Sequence, residues 1–454
     1  MVHTPGRSLP LVDLDEGRSV AGVFPSTTAL LTDHYELTML QAALRAGTAS
    51  RRSVFEVFAR HLPEGRRYGV VAGTGRLLDA LAGFTFDEEA VRFLAEQGVV
   101  DEPTAEWLAA YRFAGNVWGY AEGDCYFPGS PILVVEGTFA ESVILETLVL
   151  SIFNHDCAIA SAASRMVHAA AGRPLIEMGS RRTHEMAAVA AARAAYIAGF
   201  GTTSNLAAGR LYGVPTAGTA AHAFTLLHGS ERQAFAAQLA AAGPGTTLLV
   251  DTYDVMRAVR TAVELAGPEL GAVRLDSGDL GATAREVREL LDSLGATGTR
   301  IVVTSDLDEY SIAALAAAPV DGYGVGTSLV TGSGAPTAAL VYKLVARADE
   351  DGEDAPLRAV AKRSVGKPSR GGRKWAIRQI DGHGKARTEL VVTEEVPVGA
   401  HDRELLIPLV RRGRIVGREP LDTARDRHAA ALNELPSHSL QLSRGYAAIP
   451  TEFE

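Results

Sequence analysis

Six short apolar runs between Pro174 and Leu329 end on polar or glycine residues, and each leads into a stretch of helical periodicity. They are PLIEMGSRR from Pro174, VPTAGTAAH from Val214, TLLVDTYD from Thr247, AVRLDSGD from Ala272, RIVVTSD from Arg300 and GYGVGTSL from Gly322. Near-continuous apolar runs alternating with helices predict parallel strands buried on both faces. In a β/α barrel built this way, catalytic groups gather where each strand gives way to its loop. Those ends present Arg181, Arg182, His222, Asp251, Arg274, Asp276, Asp279 and Ser305, together with a turn carrying Gly322, Gly324, Gly326 and Thr327.

The flanking regions lack this repeat. SVFEVFARHL and SPILVVEGTF read as strands, GRLLDALAGF and EEAVRFLAEQ as helices, and Glu141 to Ala171 as one long helical stretch. Ser230 with Gln233 predicts a capping box, and Gly199 a helix C-terminus. Beyond residue 336 the segments LVYKLVARA, KWAIRQI, TELVVT and ELLIPLVRRGRIV read as antiparallel strands that return to pack on the N-terminal region. The expected fold is α/β, an irregular parallel β/α barrel plus an α/β sandwich domain built from both ends of the chain. Residues 1–26 form a loose segment, 27–140 with 337–454 the sandwich, and 141–336 the barrel.

Length agrees with two domains, since a barrel takes roughly 250 residues of the 454. The net charge of -10 argues against bulk nucleic-acid binding. One basic island interrupts that average: Arg358, Lys362, Arg363, Lys367, Arg370, Arg373, Lys374 and Arg378, with no acid among them, a candidate to close over a polyphosphate. Cys125 and Cys157 make neither a disulfide framework nor a zinc site. No signal-peptide pattern and no apolar run of spanning length is evident, so a cytoplasmic protein without a membrane partner is expected.

The strand ends suggest chemistry. His222 followed by Asp251 on the next strand is the arrangement in which a carboxylate orients an imidazole and leaves its other nitrogen as nucleophile or base. Arg274, Asp276 and Asp279 fall within one turn; two carboxylates there suit a water-bound Mg2+ or ribose hydroxyls, although one aspartate alone would be explained as a helix cap. Small residues at Gly324–Thr327 expose backbone N–H groups of the kind that cradle phosphate. Arg181 and Arg182 form an anion fork. GVVAGTGRLL, from Gly69, lacks the third glycine of a dinucleotide fingerprint and is expected to be structural.

Several motifs in order resemble the nicotinate phosphoribosyltransferase family, over roughly residues 28–380. They are TDHYELTM at Thr32, FEVFARHLPEGRRYGVVAG at Phe55, YFPGSPILVVEG at Tyr126, ETLVLSIFNH at Glu146, EMGSRRTHE at Glu177, GTTSNLAAGRLYGVPTAGTAAHAF through His222, RLDSGD and VGTSLV. The resemblance implies an irregular barrel joined to a sandwich, acting as a homodimer whose sites are completed across the interface. It implies nicotinate, 5-phosphoribosyl 1-pyrophosphate and ATP as substrates, Mg2+ as cofactor, and a place in NAD salvage. His222 would carry a phosphoryl group from ATP, coupling ATP hydrolysis to ribosyl transfer, with Asp251 beside it. Arg274 and the basic island would steady pyrophosphate, Asp276 and Asp279 the ribosyl diphosphate and its metal, and Gly324, Gly326 and Thr327 the 5-phosphate. Tyr35 would come from the partner subunit to stack on the pyridine, while Arg181, Ser204 and Asn205 meet its carboxylate; Ser305 completes the candidate binding residues. Met178 stands where relatives often carry an aromatic residue, Ser151 in place of the usual asparagine, and Cys157 near where threonine is common.

Two alternatives remain at this level. A nicotinamide phosphoribosyltransferase would want a carboxylate acceptor for the amide, which GTTSN does not offer. A metal-dependent aldolase or lyase would use His222, Asp276 and Asp279 as ligands, but it would want a tighter His/Glu set, and no lysine stands at a strand end for a Schiff base.

Overall fold

The computed structural model describes residues 27–362, 369–394 and 396–454. Parallel strands, four of them buried at most positions and β2 and β5 at half, form the expected sheet: β1 (Leu175–Glu177), β2 (Thr202–Thr203), β3 (Thr247–Leu249), β4 (Ala272–Leu275), β5 (Arg300–Ser305) and β6 (Gly322–Val325). Their order is β2-β1-β6-β5-β4-β3, a curled half-barrel with helices such as Leu280–Ser293 following the strands. Five of the six apolar runs are strands. The sixth, VPTAGTAAH, contributes only a bridge from Thr216 to Thr203. Pro215 has no N–H to donate, so the segment holds on through Pro215 O and Ala217 N alone. In its place the two-residue β2 forms in GTTSN, too short for any hydrophobic pattern to reveal. No ladder joins the sheet's two edges among the described residues.

Both ends of the chain do meet in one antiparallel sheet. The strand Arg52–Ala59 lies between Leu133–Thr138 and Leu340–Ala348, with Phe55 opposite Val135 and Leu344. A second sheet, of Arg403–Glu404, Trp375–Ile380, Ala386–Val392 and Thr451–Phe453, completes this half. Not all of the C-terminal stretch packs there: Ala424, Ala431, Leu435 and Ile449 join the hydrophobic core of the barrel.

The helix Glu146–Ala169 touches both cores. Its small residues, Ala160, Ser161, Ala163 and Ser164, let it approach the Ala-rich helix Glu185–Ile197 and the strand Gly69–Val70 closely; Ser161 Oγ accepts from Val70 N at 2.9 Å. Contrary to the sequence reading, the stretch Phe139–Ala169 is long and apolar enough by composition to cross a membrane, but 67% of its most apolar window is buried inside the protein. Cys157 is buried in it, as expected, while Ser151 is exposed.

The glycines of GVVAGTG serve packing. Arg193 forms a bidentate pair with Glu122 at 2.6 and 2.7 Å, and Glu122 also accepts from Gly73 N. A Cβ on Gly75 would sit 2.4 Å from Arg193 Nη2, so only glycine admits the guanidinium. Ser230 accepts from Gln233 N, giving half of the expected capping box, and Gly199 follows its helix with φ +118°.

His428 is buried, with Nδ1 3.0 Å from Gly123 O and Nε2 2.9 Å from Ser164 Oγ. Burial holds its pKa down, to about 4. The unfolded chain therefore binds this proton more readily, and stability falls as pH drops from about 6.5 towards 4, by about 3 kcal/mol for this group. Urea unfolding should show a shallower pH dependence over that window in His428→Asn than in the wild type; identical slopes would mean that His428 titrates normally when folded.

Candidate active site

The carboxyl ends of the half-barrel strands gather most of the residues singled out above. His222 is the first residue of the helix His222–Leu227, and its side chain is 40% exposed. Its Nδ1 lies 3.1 Å from Thr252 Oγ1, while Nε2 faces two carboxylates, Asp251 Oδ1 at 3.8 Å and Asp276 Oδ2 at 4.0 Å. The expected direct Asp251–imidazole hydrogen bond is thus not made. Thr252, missed in the sequence, makes the close contact. Asp251 has its Oδ2 engaged by Asp276 N at 2.8 Å and Ser277 Oγ at 2.7 Å, whereas its buried Oδ1 has no hydrogen-bond partner. A carboxylate oxygen left unpartnered 3.8 Å from an imidazole is poised to pair once that ring becomes cationic.

Asp276 accepts from Thr304 Oγ1 at the end of β5. Arg274, on β4, donates to Thr219 Oγ1, and burial lowers its pKa against the pull of Asp276 and Asp251. Arg181 is close enough to oppose Arg274 electrostatically. No carboxylate pairs with Arg181 or Arg182 among the described residues, and both are exposed, so two guanidinium groups at the mouth stand open to an anion. Ser305, also exposed, has φ +149°, a strained value for a residue with a side chain, at the end of β5.

Other expectations change. Asp279 is exposed and caps the helix Leu280–Ser293, accepting from Ala282 N at 3.0 Å. Gly324 is not part of a phosphate cradle: it is buried within β6, where a Cβ would meet Thr304 Cγ2 at 2.5 Å and Met178 Sδ at 2.7 Å. Gly326 and the exposed Thr327 do stand at the loop beyond the strand. Ser204 and Asn205 flank the same mouth; Asn205 caps the helix Leu206–Tyr212 and donates to Ser180 Oγ at 3.0 Å. Tyr35 lies elsewhere in the chain, 44% exposed and hydrogen-bonded to Glu146.

Five members of the basic island find their partners within the sandwich half. Arg358 pairs with Asp349 at 3.0 Å, Lys374 with Glu56 at 2.6 Å, and Arg373 with Glu136 at 2.8 Å. Arg378 is buried with Asp124 and Glu389, and Arg370 stacks on Phe453. These partners all belong to the sandwich half, so the charges are spent on packing; Arg363 and Lys367 lie outside the described residues. A cleft of about 950 Å³ in that half, flanked by Trp118 and Trp375, is likewise remote from the strand-end residues.

For a divalent ion the donors fit a hydrated one. Asp276 keeps Oδ2 open, Asp279 is exposed, and no cluster of three or more His, Cys, Asp or Glu forms a closed ligand set among the described residues.

A half-barrel with a histidine, paired acids and arginines at its mouth suits an anionic, phosphorylated substrate. The family model for the nicotinate phosphoribosyltransferase N-terminal domain matches residues 30–154. The chain is 62% identical over 433 residues to the nicotinate phosphoribosyltransferase pncB1 of Mycobacterium tuberculosis, covering 93% of this chain and 94% of that one. It is 32% identical to the Homo sapiens nicotinate phosphoribosyltransferase, covering 83% and 82%. The crystal structure of human nicotinic acid phosphoribosyltransferase superposes with a TM-score of 0.79 at 26% identity, covering 93% of this chain and 97% of that one. The chain belongs to the nicotinate phosphoribosyltransferase family.

Gly324→Ala tests the packing role of that glycine. The added methyl should lower stability by about 1–3 kcal/mol, read as a lower urea midpoint. An unchanged midpoint with weakened phosphate binding would restore Gly324 to the phosphate site.

Proposed function

We propose that the protein is a nicotinate phosphoribosyltransferase of NAD biosynthesis. It joins the nicotinate ring nitrogen to C1 of 5-phosphoribosyl 1-pyrophosphate as the C1–O bond to pyrophosphate breaks. The observation that carries this reading is the strand-end constellation of His222, Asp251, Arg274 and Asp276 in a chain 62% identical to the pncB1 enzyme. Hydrolysis of ATP to ADP and phosphate accompanies the transfer, through a phosphoryl group carried on His222.

Departure of pyrophosphate leaves an oxocarbenium-like ribose, so the protein's work is orientation and charge stabilisation. Arg274 holds the leaving diphosphate. Asp276 orients the ribosyl diphosphate and, with Asp279 through water, would hold Mg2+, which supplies countercharge to the phosphates. Gly326 and Thr327 offer donors to the 5-phosphate. With Nδ1 beside Thr252 and Nε2 facing Asp251 and Asp276, the imidazole is held by its neighbours, and the two acids stabilise it as it gains charge on phosphorylation.

Arg181, Ser204 and Asn205 face the nicotinate carboxylate. The acid behind this loop pair, Glu177, is fully buried with each oxygen already accepting a bond, from Gly179 or Thr203, so it is not presented to an amide; this favours nicotinate over nicotinamide. Around the mouth Leu206, Leu226, Leu227 and Tyr253 are 76, 62, 79 and 56% exposed. Such an apolar collar supports a homodimer in which a second subunit covers the site and brings its own Tyr35 to the ring.

Product formation from nicotinate and nicotinamide, each with and without ATP and Mg2+, tests the reading. ATP-stimulated nicotinate mononucleotide, with none from nicotinamide, is expected; no product from either base would refute it. His222→Ala should abolish ATP hydrolysis and the phosphoenzyme while leaving slow, uncoupled transfer. Normal ATP hydrolysis with all transfer lost would remove His222 from the phosphoryl step. Asp276→Asn should raise KM for the ribosyl diphosphate about tenfold or more and leave KM for nicotinate unchanged; equal rises in both would reassign the residue.

A further inference from the structure

Glu177, the last residue of β1, is fully buried, and no arginine, lysine or histidine pairs with it among the described residues. An acid in that position is costly unless hydrogen bonds satisfy it. Oε1 accepts from Gly179 N, and Oε2 accepts from Thr203 Oγ1 at the end of the adjacent strand β2. Burial pushes its pKa up, and these two bonds oppose that shift.

The connections run outward from there to the recognition loops. Glu177 O accepts from Ser204 N at 2.8 Å, and Thr203 Oγ1 accepts from Asn205 N at 2.9 Å. Asn205 closes the circuit by donating to Ser180 Oγ at 3.0 Å. One residue therefore ties the loop carrying Ser180, Arg181 and Arg182 to the loop carrying Ser204 and Asn205. Gly179 is required for this: a Cβ there would fall 2.1 Å from Val330 Cγ1, so a side chain would push the amide away from the carboxylate.

We infer that Glu177 is a positioning residue for the pyridine substrate, locking the two loops into one fork of donors without touching the substrate itself. The inference rests on the nicotinate reading above. In Glu177→Gln one carboxylate oxygen becomes an NH2 group; turned towards Thr203 it donates to Oγ1, which can accept from it as well as from Asn205 N, so a charge-assisted bond becomes a neutral one. The tether is weakened while volume is kept. Thr203→Val removes the tether outright, taking away both the Oε2 partner and the acceptor for Asn205.

Steady-state kinetics on the full-length enzyme test this, with thermal midpoints measured alongside. In Thr203→Val, KM for nicotinate should rise about tenfold or more, with KM for the ribosyl diphosphate and kcat at saturating nicotinate within about twofold of wild type. Glu177→Gln should show the same split to a smaller degree, and it carries the test if Thr203→Val does not fold. A folded variant with unchanged nicotinate KM, or with both KM values raised equally, would overturn the positioning role. Absence of nicotinate turnover in the wild type would sink the proposed function instead, so the two failures are separable.

Discussion

Buried or half-buried carboxylates at the ends of parallel strands hold the active face of this protein together. Glu177 ends β1 and fastens the loop of β2; Asp251 follows β3 and accepts from the backbone and Ser277 of the loop beyond β4; Asp276 follows β4 and takes a hydroxyl from β5. Each acid spends at least one oxygen on a neighbouring strand's loop. The half-barrel has strand ends whose loops would otherwise be independent, and these side chains couple them across the sheet. Desolvation makes the arrangement obligatory, because a buried carboxylate without donors would neutralise or open the loop to water.

The same acids divide labour. Glu177 has both oxygens taken and acts only as a brace. Asp251 has one taken and one unpartnered, and that free oxygen faces His222. Asp276 is exposed enough to meet a ligand. The gradient from fully engaged to open follows depth below the rim, and it sets structural and chemical roles among residues of one type. Across the mouth, Arg274 and Arg181 supply the opposite charge and repel each other.

The sandwich half uses charge differently. Arg378 with Asp124 and Glu389, Lys374 with Glu56, and Arg373 with Glu136 are interior or near-interior pairs; those of Lys374 and Arg373 link the segment leading into the strand Trp375–Ile380 to strands of the other sheet. Removing one partner from such a pair leaves a buried charge, which costs far more than the intact pair contributes. This is how Arg373, Lys374 and Arg378, which read as part of a ligand clamp in one dimension, serve as structural framework.

The chain's own pattern determined the parallel strands, their order of appearance, the sheet shared by both ends of the chain and most strand-end residues, because burial on both faces writes long apolar runs and because catalytic groups in such sheets sit at fixed places relative to them. Asp251, Arg274 and Asp276 stand at such strand ends, and Cys157 lies in the core; His222 follows a run that formed no strand. Tertiary structure alone decided the rest. β2 spans two residues, too few for periodicity, and the run from Val214 loses its strand to Pro215. Gly324 and Gly326 look alike in sequence, yet the space beside one is filled by Thr304 and Met178. Asp276 and Asp279 sit in one turn, but only the first points at His222, and the second caps a helix. Lys374, Arg373 and Arg378 found Glu56, Glu136 and Asp124 more than two hundred residues away, and Glu177 found Thr203 on the adjacent strand. Such pairings depend on distances in space that no local spacing encodes, and they decide which charges are left free to do chemistry.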